Sequence, residues 1–295
     1  MNIWKSRNFK PMLLKQNSKP FNDKDYIYEI KFDGHRALIF VNNKSILIQS
    51  RNGKDITYLY PELHNIKSLV NKNVIFDGEI ICEEEGIPSF KNLQKRSHLK
   101  NKNQINKEVI NNPVKFIVFD VLYENKDITN KSLIKRKEIL NKYKDTDYFI
   151  KSKYIKKDGI NLFKKIKKLN LEGIVCKNIN GKYHINKRTY DFIKVKNINR
   201  DEFYIGGYIN NKNNTVSLLL GEYNDNNKFM YVGKVIMSKN KKLYDKLKFK
   251  RKSKSYFINY DKEAIFIKPE LTCFVEYQER TKSNHLRHSV YKDYE

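Results

Sequence analysis

Glu29-Ile30-Lys31-Phe32-Asp33-Gly34-His35-Arg36 is the stretch whose reading decides the fold. Residues 26–32 alternate as a strand does, Asp33-Gly34 is a strong turn signal, and residues 37–41 read as a return strand. The expectation is a hairpin with Lys31 near a strand end and Arg36 just past a tight turn, both able to face one pocket. A surface hairpin in a lysine-rich chain fits the same residues. Lys-x-Asp-Gly alone does not separate these readings; the elements downstream do, by their order.

Upstream, residues 1–25 read as an irregular lead-in, with Met12-Leu13-Leu14 packing onto the body and 17–25 forming a loop. Downstream, residues 45–50 read as a strand that ends at the Asn52-Gly53 turn, which puts Arg51 at a strand end. Residues 61–70 suit a helix with Pro61 in its first turn. Residues 73–82 read as a strand interrupted by Asp77-Gly78. Two carboxylates in such an apolar strand are costly unless they bind something, so Glu79 is a candidate metal or ribose ligand. A bulge that turns Glu79 to solvent is the alternative.

Residues 90–99 read as helical, and 113–123 form a nearly continuous apolar run, as a buried strand does. Phe119 in that run is either a core ring or, at a sheet edge, a ring that stacks on a base. Residues 132–143 and 158–169 read as helices, with Asp158 placed to cap the second. Residues 171–177 read as a strand opened by Glu172-Gly173. In 190–196, Phe192, Lys194 and Lys196 share one face and Ile193 and Val195 the other. That suits a strand facing phosphate, or an edge strand guarded by lysines.

The chain has 295 residues, enough for one large or two ordinary domains, and a net charge of +27. A chain this basic points to a polyanionic partner, nucleic acid before an anionic membrane, since no basic amphipathic helix stands out. An AT-rich coding bias toward Lys, Asn and Ile lowers the weight of any one lysine run, such as 164–168. No apolar run is long enough to span a membrane and no signal-peptide core opens the chain. Cys82, Cys176 and Cys273 lie far apart in apolar segments, without metal-ligand spacing, and read as reduced core residues of a cytosolic protein. His35 reads as a loop side chain rather than a catalyst. Near 197–201 the pattern changes to short strands at 203–209, 216–222, 229–237 and 273–279, interrupted by a lysine-rich segment at 238–255. This is the layout of a small barrel of oligonucleotide-binding (OB) type.

Taken in order, these elements resemble the covalent nucleotidyltransferase superfamily, and within it ATP-dependent DNA ligases. Lys31-Phe32-Asp33-Gly34-His35-Arg36 resembles the nucleophile motif Lys-x-Asp-Gly-x-Arg. Arg51, Phe76-Asp77-Gly78-Glu79, Phe119-Asp120, Glu172-Gly173-Ile174-Val175 and Lys194-Val195-Lys196 are similar to the motifs that follow it, and Arg188 stands where the family has an arginine upstream of the lysine pair. Leu93-Gln94-Lys95-Arg96, residues 172–177 and Leu286-Arg287-His288 resemble the ligase domain of bacterial end-joining ligases.

The resemblance implies an α+β architecture: a nucleotidyltransferase domain of antiparallel, ATP-grasp-like sheets with helices over 1–200, then an OB-fold β-barrel over 201–295. It implies a minimal two-domain enzyme, monomeric and cytoplasmic, of bacterial or phage-like kind and associated with the nucleoid. Such an enzyme consumes ATP with Mg²⁺ or Mn²⁺ and seals nicked duplex DNA, with Ku or other end-joining proteins as partners. Lys31 would attack the α-phosphorus of ATP, and the AMP would pass to the 5′-phosphate at a nick before the 3′-hydroxyl expels it. By the same resemblance Glu29 lies at the adenine end. Arg36, Arg51 and Arg188 hold ribose and phosphate oxygens, Glu79 and Glu172 contact ribose or hold the metal, Phe119 stacks on adenine, and Lys194 and Lys196 bind the α-phosphate.

One departure stands at the end. The last family motif runs through an Arg-rich stretch to Asp-x-Lys, whereas residues 287–295 stop short of it, which bears on self-adenylation. The alternatives are an RNA ligase, an mRNA-capping guanylyltransferase, or a non-catalytic nucleic-acid-binding relative.

Overall fold

The computed structural model describes residues 2–7, 9–250, 252–281 and 283–293, the side chain of Asp293 excepted. It divides into two compact units, Met1–Lys196 and Asn197–Glu295.

In the first unit the elements run α1 (Ile3–Ser6), β1 (Leu13–Asn17), β2 (Tyr26–Ile30), β3 (His35–Val41), β4 (Ile46–Ser50), β5 (Val74–Glu84), β6 (Ile87–Pro88), α2 (Phe90–Ser97), α3 (Lys102–Asn111), β7 (Val114–Glu124), α4 (Leu133–Leu140), β8 (Phe149–Lys151), β9 (Tyr154–Lys156), α5 (Gly159–Lys168), β10 (Gly173–Asn178) and β11 (Arg188–Lys196). They build two sheets, with strand orders β1-β11-β10-β2-β9 and β4-β3-β5-β7-β8. Pairing is antiparallel except between β1 and β11 and between β7 and β8.

The expected hairpin does not exist. β2 and β3 lie in different sheets, and the segment between them is a crossover. The amide of Lys31 extends the first sheet by donating to the carbonyl of Gly173 at 2.9 Å. The chain then leaves that sheet, and His35 begins pairing with Ile80 in the second. Gly34 is needed for close approach rather than for a turn, since its backbone is not left-handed. A Cβ there would stand 2.3 Å from the carbonyl oxygen of Ile80 and 2.8 Å from Cγ of Glu79.

The lead-in is also more ordered than its composition predicts. Leu13–Asn17 forms β1 because a partner far along the chain, β11, supplies its hydrogen bonds. Consequently β11 is an interior strand, flanked by β1 and β10, which removes the edge-strand reading of its lysines. Residues 61–69 form a 3₁₀ rather than an α-helix. Their apolar residues Leu63, Ile66 and Leu69 recur every third position, the period at which 3₁₀ side chains align. β5 is continuous, with a register shift between Asp77 and Gly78 in place of a break. Asp158 sits at the N-cap of α5 but its side chain makes no cap hydrogen bond.

Three buried ion pairs brace the second sheet and its flanking helices. Arg96, fully buried in α2, pairs with Glu62 at 2.9 Å. Asp77 and Asp120 face each other across β5 and β7, both fully buried. Each carboxylate accepts two hydrogen bonds from an arginine, Arg36 on Asp77 (3.0 and 2.7 Å) and Arg136 on Asp120 (2.8 and 2.9 Å). Buried charges are tolerated when matched in this bidentate way.

The second unit holds β12 (Asn199–Asn210), β13 (Thr215–Tyr223), β14 (Phe229–Ser238), α6 (Lys242–Phe249), β15 (Ile265–Tyr277), β16 (Glu279–Arg280), β17 (Leu286–Arg287) and β18 (Val290–Asp293). Its main sheet has the order β14-β13-β12-β15-β18. The sheet curls until its edges approach, where the Ser289 hydroxyl donates to the carbonyl of Lys234 at 3.0 Å. The lysine-rich segment contains α6, whose Leu243 and Leu247, four residues apart, plug the curl's core. Cys82, Cys176 and Cys273 are buried and form no disulfide, as expected of core thiols. No helix among the described residues is long and apolar enough to cross a membrane.

Gly34→Ala should cost about 1–3 kcal/mol by forcing β5 away from the crossover. A thermal unfolding midpoint equal to that of the unsubstituted chain would contradict the close-approach role.

Candidate active site

The two sheets of the first unit face one another across a gap, and the crossover places Lys31 between them. The gap has two adjoining chambers that share Leu14, Lys31, Arg36 and Glu79. The narrow chamber is mainly apolar, with Ile30, Phe32, Phe119, Val175 and Phe192 in its lining; Glu29 and Lys177 are its remaining polar groups. The wide chamber is lined by Leu13, Gly34, His35, Ser50, Arg51, Asn52, Arg188 and Lys194.

Strand alternation decides who faces the gap. On β2 Glu29 points in while Tyr28 packs under α5. On β10 Val175 and Lys177 point in while Ile174 and Cys176 pack behind. On β11 Phe192 and Lys194 point in while Ile193 and Val195 pack behind, the two-faced pattern predicted for that strand.

At the junction Lys31 Nζ lies 2.6 Å from Glu172 Oε2. The Glu172 side chain is 8% exposed and its other oxygen is 3.9 Å from Lys196 Nζ. Arg36 is held rigidly: Asp77 takes it bidentately, the Tyr183 hydroxyl donates to the same carboxylate at 2.7 Å, and the guanidinium carbon lies 5.1 Å from the centre of the Phe119 ring. Burial pushes the Glu79 carboxyl up to about 8; Lys31 and Arg36 oppose this, while Glu172 and Asp77 add to it. Burial, with Lys196, Lys31 and Arg188 adding to it, lowers Lys194. Burial also draws the Lys177 ammonium down to about 8, although Glu29 accepts from it at 2.7 Å.

Thus Glu29, Lys31, Arg36, Arg51, Glu79, Phe119, Arg188 and Lys194 converge on one gap. Glu172 reaches it through Lys31, and Lys196 touches Glu172 but lines neither chamber. Among the described residues no carboxylate pairs with Arg51, Arg188 or Lys194, so the wide chamber carries unneutralised positive charge. His35 lines that chamber too, its Nδ1 3.4 Å from the Tyr60 hydroxyl. Glu79 faces the gap despite the bulge beside it.

Sequence reasoning missed Lys177, Lys137 and Tyr183 as members of this site. Lys177 had a usable signal, a charge ending the apolar run of an interior strand. Lys137 had none in so lysine-rich a chain.

Residues 11–196 match the family model described as ATP dependent DNA ligase domain, and 211–294 that described as ATP dependent DNA ligase C terminal region. The chain belongs to the ATP-dependent DNA ligase family. It is 31% identical over 280 residues to the SPbeta prophage-derived DNA ligase-like protein LigB of Bacillus subtilis, an alignment covering 94% of this ligase and 95% of that protein. It is 28% identical to the multifunctional non-homologous end joining protein LigD of Mycolicibacterium smegmatis, covering 95% of this chain but 37% of the larger relative. Among solved structures, mycobacterial DNA ligase D complexed with ATP and MES superposes with a TM-score of 0.58 at 24% identity, covering 98% of this chain and 95% of the other. A structure described under Lig E DNA ligases gives 0.65 at 15% identity, covering 97% and 99%. These likenesses bear on fold: the two units of this ligase are a nucleotidyltransferase domain and an OB-fold domain.

The folded ligase holds a proton on Glu79 across the window between the ordinary 4.5 and about 8, where the unfolded chain has lost it. Stability of the nucleotide-free protein should therefore fall as pH rises through that window. Glu79→Gln should flatten the dependence and raise the melting temperature at pH 8 by a few degrees, roughly 2–6 °C. Parallel curves for the two proteins between pH 5 and 8 would contradict this.

Proposed function

We propose that Lys31 is the nucleophile with which this ATP-dependent ligase charges itself, and that the substrate it then seals is nicked duplex DNA. The observation that carries the reading is the position of Lys31 where an apolar chamber meets a cationic one. A nucleoside triphosphate has the same two ends. Its base suits the narrow chamber beside Phe119, and its phosphates suit Arg51, Arg188 and Lys194.

In this reading Lys31 Nζ attacks the α-phosphorus, an N–P bond forms, and the bond to the departing pyrophosphate breaks with its electron pair. The amine must shed a proton, and the Glu172 carboxylate at 2.6 Å is the group in place to take it. Arg36, fixed by Asp77 and Tyr183, meets the ribose or α-phosphate without having to reorganise. The adenylate then passes to the 5′-phosphate at a nick, and the 3′-hydroxyl attacks that phosphate and expels AMP. All three steps are phosphoryl transfers, so the work of the protein is alignment and charge neutralisation.

A divalent cation fits these residues. Among the described residues no group of three or more His, Cys, Asp or Glu side chains converges. Mg²⁺ at phosphate sites needs only one or two carboxylates, the phosphates and water completing its shell. Glu79, with its carboxyl raised by burial, and Glu172 are the residues that would hold Mg²⁺ or Mn²⁺. The ion would supply neutralisation of phosphate charge. We extend the proposal to action as a monomer in the cytoplasm at the nucleoid, beside an end-binding partner such as Ku, with support from the end-joining name of the LigD relative.

Incubation with labelled ATP and Mg²⁺ followed by denaturing electrophoresis should label the native protein and leave Lys31→Ala unlabelled. Label retained on the variant refutes the assignment. Grip on the duplex should run mainly through phosphates, given the net charge of +27. Affinity for nicked duplex should drop about tenfold or more between 50 and 200 mM salt. A flat salt dependence counts against phosphate-led binding.

A further inference from the structure

Two consecutive residues of α4, Arg136 and Lys137, are buried cations, 0% and 2% exposed, and they reach different sheets. Arg136 grips Asp120 of β7 in the second sheet and donates also to the carbonyls of Lys131 (2.5 Å) and Gly181 (3.2 Å). Asp120 is the chain neighbour of Phe119. Lys137 donates to Oε1 of Glu29 on β2 in the first sheet, while Lys177 donates to Oε2 of the same carboxylate at 2.7 Å. Lys177 Nζ in turn lies 4.2 Å from the centre of the Phe119 ring and 5.1 Å from that of Phe192. One turn of one helix thereby ties the ring on one wall of the narrow chamber to the charged pair on the other.

We infer that Lys137 is a positioning residue for base selection: by holding one oxygen of Glu29 it fixes which way the Glu29–Lys177 pair presents its acceptor and its donor to the nucleobase. The inference rests on the nucleotide reading above. Apart from Lys31, Arg36 and Glu79, which the wide chamber shares, Glu29 and Lys177 are the polar groups of that chamber, so the edge of the base has them to meet. Adenine offers an amino donor where guanine offers a carbonyl acceptor. A carboxylate pinned from behind favours the first and repels the second. A carboxylate free to turn with its lysine offers either base a workable face.

The charge balance makes the test practical. Lys137, Lys177 and Glu29 together carry one more positive than negative charge, so Lys137→Met leaves a matched pair instead of an orphaned charge. Initial rates of protein–AMP and protein–GMP adduct formation should be compared for the native ligase, Lys137→Met and Lys137→Arg, with thermal unfolding run in parallel. In Lys137→Met the KM for ATP should rise about tenfold, the rate at saturation should fall less, and the preference for ATP over GTP should shrink about tenfold. Lys137→Arg keeps the charge but moves the donor, and should give a smaller shift in preference. If Lys137→Met does not fold, the arginine variant decides alone. A folded variant with unaltered preference overturns the inference, because a residue that merely stabilised the fold would lower both rates together. If the native ligase forms no adduct with either nucleotide, the nucleotide reading itself has failed.

Discussion

The chain changes sheets between Ile30 and His35, and the site depends on that crossing. A hairpin would have put Lys31 and Arg36 on neighbouring strands of one surface. The crossover instead suspends Lys31 between two facing sheets and delivers Arg36 to the opposite wall, against Asp77. The absence of a side chain at Gly34 lets the backbone pass beneath Ile80 closely enough for this. On β2, β10 and β11 strand alternation then turns the remaining groups toward the gap.

Charge in the gap is arranged by burial. Asp77 and Asp120 are saturated by arginines, Glu29 by two lysines, and Glu172 by Lys31 and Lys196. Among the described residues of the gap, those left without an ion-pair partner are Glu79, its carboxyl raised by burial against the pull of Lys31 and Arg36, and on the other side Arg51, Arg188 and Lys194. A cationic shelf beside a buried carboxyl is matched by a ligand that brings anionic oxygens. That complementarity, more than any one motif, ties the geometry to phosphoryl chemistry.

The sequence carried the charged motif residues well, because each is a polar group in an apolar strand or beside a turn and so stands out locally. Glu79 and the alternation of 190–196 were legible in this way, whereas Phe119, in its apolar run, read equally as a core ring. It misled where a local signal served a distant purpose: Asp33-Gly34 reads as a turn, but Gly34 is there for clearance from β5. It was silent where the partner lay far along the chain. Residues 13–17 look like part of an irregular lead-in because their hydrogen bonds come from β11, and Lys137 looks like one more surface lysine because Glu29 stands on another sheet. Pairings over such separations leave no periodic trace in a single strand.

The parallel docking of β1 on β11 also orders events in time. Leu13 and Leu14 wall the chambers, yet their register partners are Arg188 and Thr189. A segment synthesised among the first must therefore wait, unpaired, for one synthesised near the end of the unit, and closing so long a loop is slow. On the ribosome the gap cannot acquire its last wall until the strand ending at Lys196 has emerged, so a nascent chain halted before that point would carry Lys31 without the cleft that gives it a purpose.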